Sequence, residues 1–97
     1  MDANKLKTYL GFARRAGKLT LGVNAVSTLR SGVYLLIADT FASENTKKEI
    51  EKLARRLSVP VIWTENLETL AGKELCKLAA LREEHLAEAI LAAGRED

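Results

Sequence analysis

Val33-Tyr34-Leu35-Leu36-Ile37-Ala38 is the longest uninterrupted apolar run in the chain, and its reading decides the fold. A continuous β-branched and aliphatic run, rather than an alternating one, suits a strand covered on both faces. Asp39 to Ser43 follows as a loop at that strand's carboxyl end. Ser43-Glu44-Asn45-Thr46 offers several capping choices for the next helix. There Ile50, Leu53, Ala54 and Leu57 form an apolar stripe, with Lys48, Glu51, Lys52, Arg55 and Arg56 outside. Ser58-Val59-Pro60 breaks that helix, and Val61-Ile62-Trp63 reads as a second buried strand. Strand, helix, strand in this order implies a right-handed crossover and a parallel pair. The fold class is α/β.

Upstream of the run, Leu6, Tyr9, Leu10 and Ala13 recur at helical spacing and predict an amphipathic first helix. Gly17 is its stop, with Arg14, Arg15 and Lys18 at the carbonyl end. Leu19-Thr20-Leu21 is short and extended. Asn24 can cap a brief helix through Arg30 that turns Val26 and Leu29 inward and stops at Ser31-Gly32. Downstream, Lys73 to Ala93 holds neither proline nor glycine, so one long helix is allowed. Cys76, Leu78 and Ala80 alternate with Ala79 and Leu81, however, so an edge strand is equally allowed. Leu86, Ala89, Ile90 and Ala93 predict a final helix stopped by Gly94, with the last three residues frayed.

A chain of 97 residues, 47% hydrophobic and 29% charged, reads as a single domain over residues 1–97 with a self-supporting core. One cysteine, Cys76, allows no internal disulfide and fits a reducing cytoplasm. Met1 to Thr8 is polar and resembles no secretory leader. The longest apolar run, of six residues, is far short of the roughly 20 needed to cross a bilayer. The expected location is cytoplasmic. Net charge is only +2, but residues 1–32 carry +5, residues 33–65 are balanced and residues 66–97 carry −3. A basic first third suits a polyanion.

Candidates for catalysis are few. His85, the only histidine, lies among Glu83, Glu84 and Glu88 and most simply faces water. Cys76 reads as a small buried hydrophobe. No nucleophile elbow, phosphate-cradling loop or metal-ligand spacing occurs, so neither enzyme, cofactor nor metal is expected. Leu21-Gly22-Val23-Asn24 holds more promise. Gly22 lets backbone approach a ligand, the helix start behind it attracts anions, and Asn24 presents both a donor and an acceptor. Glycine then asparagine before a helix is also ordinary turn-and-cap chemistry. Trp63 with Thr64 is either core or a partly exposed platform for a nucleotide. Lys47-Lys48 sits oddly near a helix start, where the dipole prefers acids.

These stretches together resemble the ribosomal L-seven-Ae superfamily, and within it the short bacterial YlxQ-type branch, over about residues 5–92. The similarity rests on Leu10-Gly11-Phe12-Ala13-Arg14-Arg15-Ala16-Gly17-Lys18, Arg30-Ser31-Gly32, Leu36-Ile37-Ala38-Asp39, Ala42-Ser43-Glu44-Asn45-Thr46-Lys47-Lys48, Val59-Pro60-Val61 and Gly72-Lys73-Glu74. It implies a three-layer α-β-α sandwich with a mixed four-stranded sheet, in which Cys76 to Leu81 is a strand. It also implies noncatalytic binding of structured, kink-turn-like RNA in a ribosome-associated setting. Partners would be structured RNA, ribosomal RNA included, and proteins of the ribosome or the transcription–translation machinery, with no membrane.

The family's G-x-N-E-x-x-K pattern places its glycine at Gly22 and its asparagine at Asn24. Its glutamate falls on Ala25 and its lysine on Thr28, so two base-reading side chains are absent. Glu68, after Leu67, replaces an expected glycine in the second contact loop. The RNA-binding set implied is Lys18, Gly22, Val23, Asn24, Ala25, Thr28, Trp63 and Thr64. The alternative is a protein-interaction module that has kept the fold and lost specific RNA recognition.

Overall fold

The computed structural model describes residues 2–96. Nine elements follow in order: α1 Ala3–Arg15, β1 Leu19–Leu21, α2 Val23–Ser27, β2 Leu35–Asp39, α3 Glu44–Leu57, β3 Val61–Thr64, α4 Leu67–Ala71, β4 Leu78–Leu81 and α5 Glu84–Glu96. The strands form one sheet in the order β1-β4-β2-β3. β4 runs antiparallel to both β1 and β2, and β2 and β3 are parallel. The sheet is therefore mixed and four-stranded, as expected.

Side-chain alternation sends the strands' apolar residues into two cores. On one face Leu35, Ile37, Ala79 and Leu81 pack with Leu6 and Leu10 of α1, Leu67 of α4 and Ile90 of α5. On the other, Leu36, Ala38, Leu78 and Ala80 meet Val26 of α2 and Ile50 and Leu53 of α3. Each fully buried Leu or Ile contributes about 1.5–3 kcal/mol. Helices thus cover both faces, giving the three-layer sandwich.

Several boundaries differ from the sequence reading. β2 begins at Leu35 rather than Val33, because its neighbour β4 ends at Leu81, the residue paired with Leu35. β3 is an edge strand and only partly buried, not a second buried strand, because β2 is its only neighbour. β4, allowed as an edge strand, lies inside the sheet with all four residues buried. It starts at Leu78. Cys76 precedes it and packs in the α1–α4–α5 core, not on the face of Leu78 and Ala80.

The second helix is shorter than expected and begins one residue before Asn24. Gly22 is its N-cap, at φ 97 and ψ 145, which turns the chain directly out of β1. At its other end the hydroxyls of Ser27 and Thr28 donate to the carbonyls of Asn24 and Ala25. Arg56, expected only to face solvent, donates to the carbonyls of Ser27 and Leu29 and ties that end to α3. α5 passes through Gly94 to Glu96, since a helical glycine costs only about 1 kcal/mol. Of the three C-terminal residues expected to fray, Arg95 and Glu96 belong to α5, and Asp97 lies outside the described residues.

α5 starts on a carboxylate cap. Glu83 accepts from the backbone N–H of Leu86 at 2.7 Å and of His85 at 3.1 Å. The Leu86 N–H, with that of His85 second, holds the Glu83 carboxyl below its ordinary value of 4.5. A carboxyl lowered by folding stabilises the native state above its unfolded pKa, and that stability is lost as pH falls through the folded one. Acid unfolding of Glu83→Gln should therefore be shallower below pH 4.5 than that of the parent chain. Parallel melts from pH 3 to pH 7 would check it, and superimposable pH profiles would refute it.

Candidate nucleic-acid interface

β1, β2 and β3 all run the same way, so their carboxyl ends share one rim of the sheet with the start of β4. Backbone hydrogen bonds fix the order along that rim. Gly22 N–H donates to Leu78 O at 2.8 Å, Asp39 N–H to Lys77 O at 3.0 Å, and Thr40 N–H to Thr64 O at 2.9 Å. Gly22 and Thr64 are thus on the same rim but three strand spacings, or ~14 Å, apart.

Around Gly22, a groove is lined by Val23, Asn24, Ala25, Thr46, Lys73, Leu75 and Lys77. The Lys73 Nζ stands 3.7 Å from where a Cβ on Gly22 would lie. Lys77 is half-exposed and 3.8 Å from Asp39. Asn24 is exposed to solvent, and its backbone carbonyl accepts from Ser27 Oγ at 2.6 Å. α2 has five residues, too few for its dipole to hold an anion by itself. The cations beside the turn are Lys73 and Lys77, the second of them paired with Asp39.

Five of the eight expected positions lie on α2 or its caps: Gly22, Val23, Asn24, Ala25 and Thr28. Thr28 is the C-cap, and its hydroxyl is turned back on Ala25 O at 2.7 Å. Lys18 does not join them. It enters β1 at the opposite end of the strand, where Lys18 O accepts from Arg82 N–H at 2.8 Å. Trp63 and Thr64 line a separate groove against the start of α1. Trp63 is 38% exposed, so it is not core. Lys47 pairs with Glu44 at 3.8 Å, which accounts for a cation near the start of α3.

The sequence reading missed Lys73, Leu75 and Lys77. Leu75 is 82% exposed at φ 58 and stands beside the two lysines. Gly72-Lys73 was the one available signal, since a glycine at φ 75 turns the chain back toward β4. Asp39, at 2% exposed, organises the rim from below. Its carboxylate accepts from Phe41 N–H at 2.8 Å and from Leu67 N–H at 3.1 Å, so it fixes the loop after β2 and caps α4.

The comparisons with known proteins bear on the fold. A solved protein of unknown function from Bacillus halodurans is similar to this chain, with TM-score 0.74 and 26% identity, over 91% of this chain and 94% of that one. No family model and no curated protein matches.

The reactive side chains stand apart. Burial pushes the Cys76 thiol up, the opposite of an activated thiolate, and its Sγ donates to Leu78 O. His85 is exposed beyond the far end of β4 with its ring nitrogen 3.0 Å from Glu83. Among the described residues no group of three or more His, Cys, Asp or Glu could hold a metal ion, and no helix is long and apolar enough to cross a membrane.

Proposed function

We propose that this is a noncatalytic, cytoplasmic RNA-binding protein that engages structured, kink-turn-like RNA, ribosomal RNA included, at the rim around Gly22. The observation that carries the reading is the Gly22–Asn24 turn, with Asn24 exposed, beside the ammonium groups of Lys73 and Lys77. The cations would attract phosphates, the glycine would admit backbone, and Asn24 would address a base edge. The resemblance of the sequence to the L-seven-Ae superfamily supports the same assignment. Ala25 and Thr28 remove two side-chain readers, so discrimination should be weaker by about 1–3 kcal/mol per lost contact.

Titrating a kink-turn RNA and an unkinked duplex at two salt concentrations tests this. The kink-turn should bind more tightly. Asn24→Ala should cost about 1–3 kcal/mol, and Lys73→Gln should lower the slope of log affinity against log salt by roughly 0.9. Equal, weak binding to both RNAs would end the kink-turn reading.

A protein-interaction module is the second reading, favoured by the exposure of Leu75 and of Phe41, which is 70% exposed in the loop after β2. Protein partners that survive nuclease treatment and are lost in Leu75→Ser would support it.

A further inference from the structure

The basic first third of the chain is not spent on the rim. α1 places Lys7, Gly11, Arg14 and Arg15 at i, i+4, i+7 and i+8, a stripe beside its buried Leu6, Leu10 and Ala13. That stripe forms one wall of a trough, with α4 as the other. Its two halves, of about 630 and 350 Å³, share Lys7, Thr69 and Leu70. One half ends on Asn4 and the Thr64–Asn66 turn, the other on Arg14, Arg15 and Gly72. Among the described residues Glu65 is the only acid lining either half.

The two arginines have different positions. Arg14 donates through one nitrogen to Ala71 O at 2.7 Å and Gly72 O at 3.0 Å, so it clamps the end of α4. Arg15 folds along its own helix. Its guanidinium carbon is 5.1 Å from the centre of the Phe12 ring, and one nitrogen is 3.3 Å from where a Gly11 Cβ would lie. Gly11 therefore keeps the trough open at the point where Arg15 overhangs it. Among the described residues no carboxylate pairs with Lys7, Arg14 or Arg15. At its Gly72 end the trough is one residue from Lys73, the lysine that covers Gly22 on the rim.

We infer that the trough between α1 and α4 is a second RNA contact surface, taking the sugar–phosphate backbone of a strand that continues past the rim. The inference rests on the RNA-binding reading above and adds a surface to it. Cations and small polar side chains suit backbone contact rather than base reading. Trp63 lines the half of the trough that ends on Asn4, and among the described residues no aromatic side chain lines the half that ends on Arg14 and Arg15.

The test compares two RNAs, a minimal kink-turn and the same kink-turn with an unpaired tail, against the intact chain and the Lys7→Gln/Arg15→Gln double variant. Both substituted side chains are exposed, and thermal melts verify that the fold is kept. The intact chain should prefer the tailed RNA. The double variant should lose roughly tenfold affinity for the tailed RNA at physiological salt, with a salt slope smaller by about 1.5, and bind the minimal RNA unchanged. Unchanged affinity for the tailed RNA in the double variant would overturn the trough while leaving the rim intact. Failure of the intact chain to bind either RNA would remove the rim reading and the trough with it. Equal competition by poly-glutamate and by the tail would also overturn it, pointing to acidic protein instead.

Discussion

Asp39→Ala should lower stability by about 2–4 kcal/mol, because it leaves one buried and one part-buried backbone donor without an acceptor. For a domain of this size that is a fall in Tm of roughly 10–25 °C. The cost follows from what the carboxylate joins. One oxygen holds Phe41 N–H, two residues away, and the other holds Leu67 N–H, 28 residues away. Asn66 is the formal N-cap of α4, but it sits in a left-handed conformation and its side chain caps nothing. Asp39 does that work across the sheet. Lys77, at 3.8 Å and half-exposed, adds little, since such a pair is screened by solvent. Asp39→Asn should recover part of the loss, because its carbonyl oxygen can still accept one bond while its NH2 faces the other donor. Chemical denaturation of the three chains decides the matter, with amide exchange at Leu67 and Phe41 as the local reporter. A loss below about 0.5 kcal/mol for Asp39→Ala would mean that the two donors find other acceptors.

Asp39 also shows where the sequence is legible and where it is not. The strand before it could be read from the run Val33–Ala38 because a continuous apolar segment has few other places to go. Nothing local says that the aspartate ending that strand folds inward to a helix start 28 residues later. Such a bond depends on which strands are neighbours. β4 was obscured for the same reason. Lys-Leu-Ala-Ala-Leu is good helix-forming sequence, and only insertion between β1 and β2 makes a strand of it. The criterion that made β2 central, apolar residues on both faces, would also have made Leu78–Leu81 central rather than an edge. β3 ends in Trp63-Thr64, is followed at once by Glu65, and meets that criterion poorly. The candidate site divides in the same way. Gly22 and Asn24 are contiguous and were readable. Lys73 and Lys77 come to them from the α4–β4 connection, and Lys18, close in sequence, is carried away by the length of β1.

Gly22→Ala separates the function of that turn from its architecture. The substitution should cost about 1–3 kcal/mol, and the cause is backbone rather than space. A methyl group would meet only Lys73 Nζ, at an ordinary 3.7 Å, but φ 97 with ψ 145 is a conformation that glycine alone adopts readily. Relief requires φ to swing back, and both peptide groups of Gly22 resist. Its N–H is bonded to Leu78 O at 2.8 Å, and its carbonyl accepts from Val26 N–H at 3.0 Å. Any relaxation therefore rotates α2 against β4 and moves Asn24 relative to Lys73 and Lys77. Affinity for the kink-turn RNA should then fall by roughly 5- to 150-fold, the span of one good base contact. Gly32→Ala is the control. Gly32 also has positive φ, 75, with nothing within 4 Å of an added Cβ, and it precedes β2 at the opposite end of the sheet. It should lose about 1–2 kcal/mol of stability and no affinity. Titrations at a temperature where both variants are fully folded separate the two effects. Gly22→Ala binding RNA as tightly as the parent chain, despite its lower Tm, would remove the rim from the RNA interface.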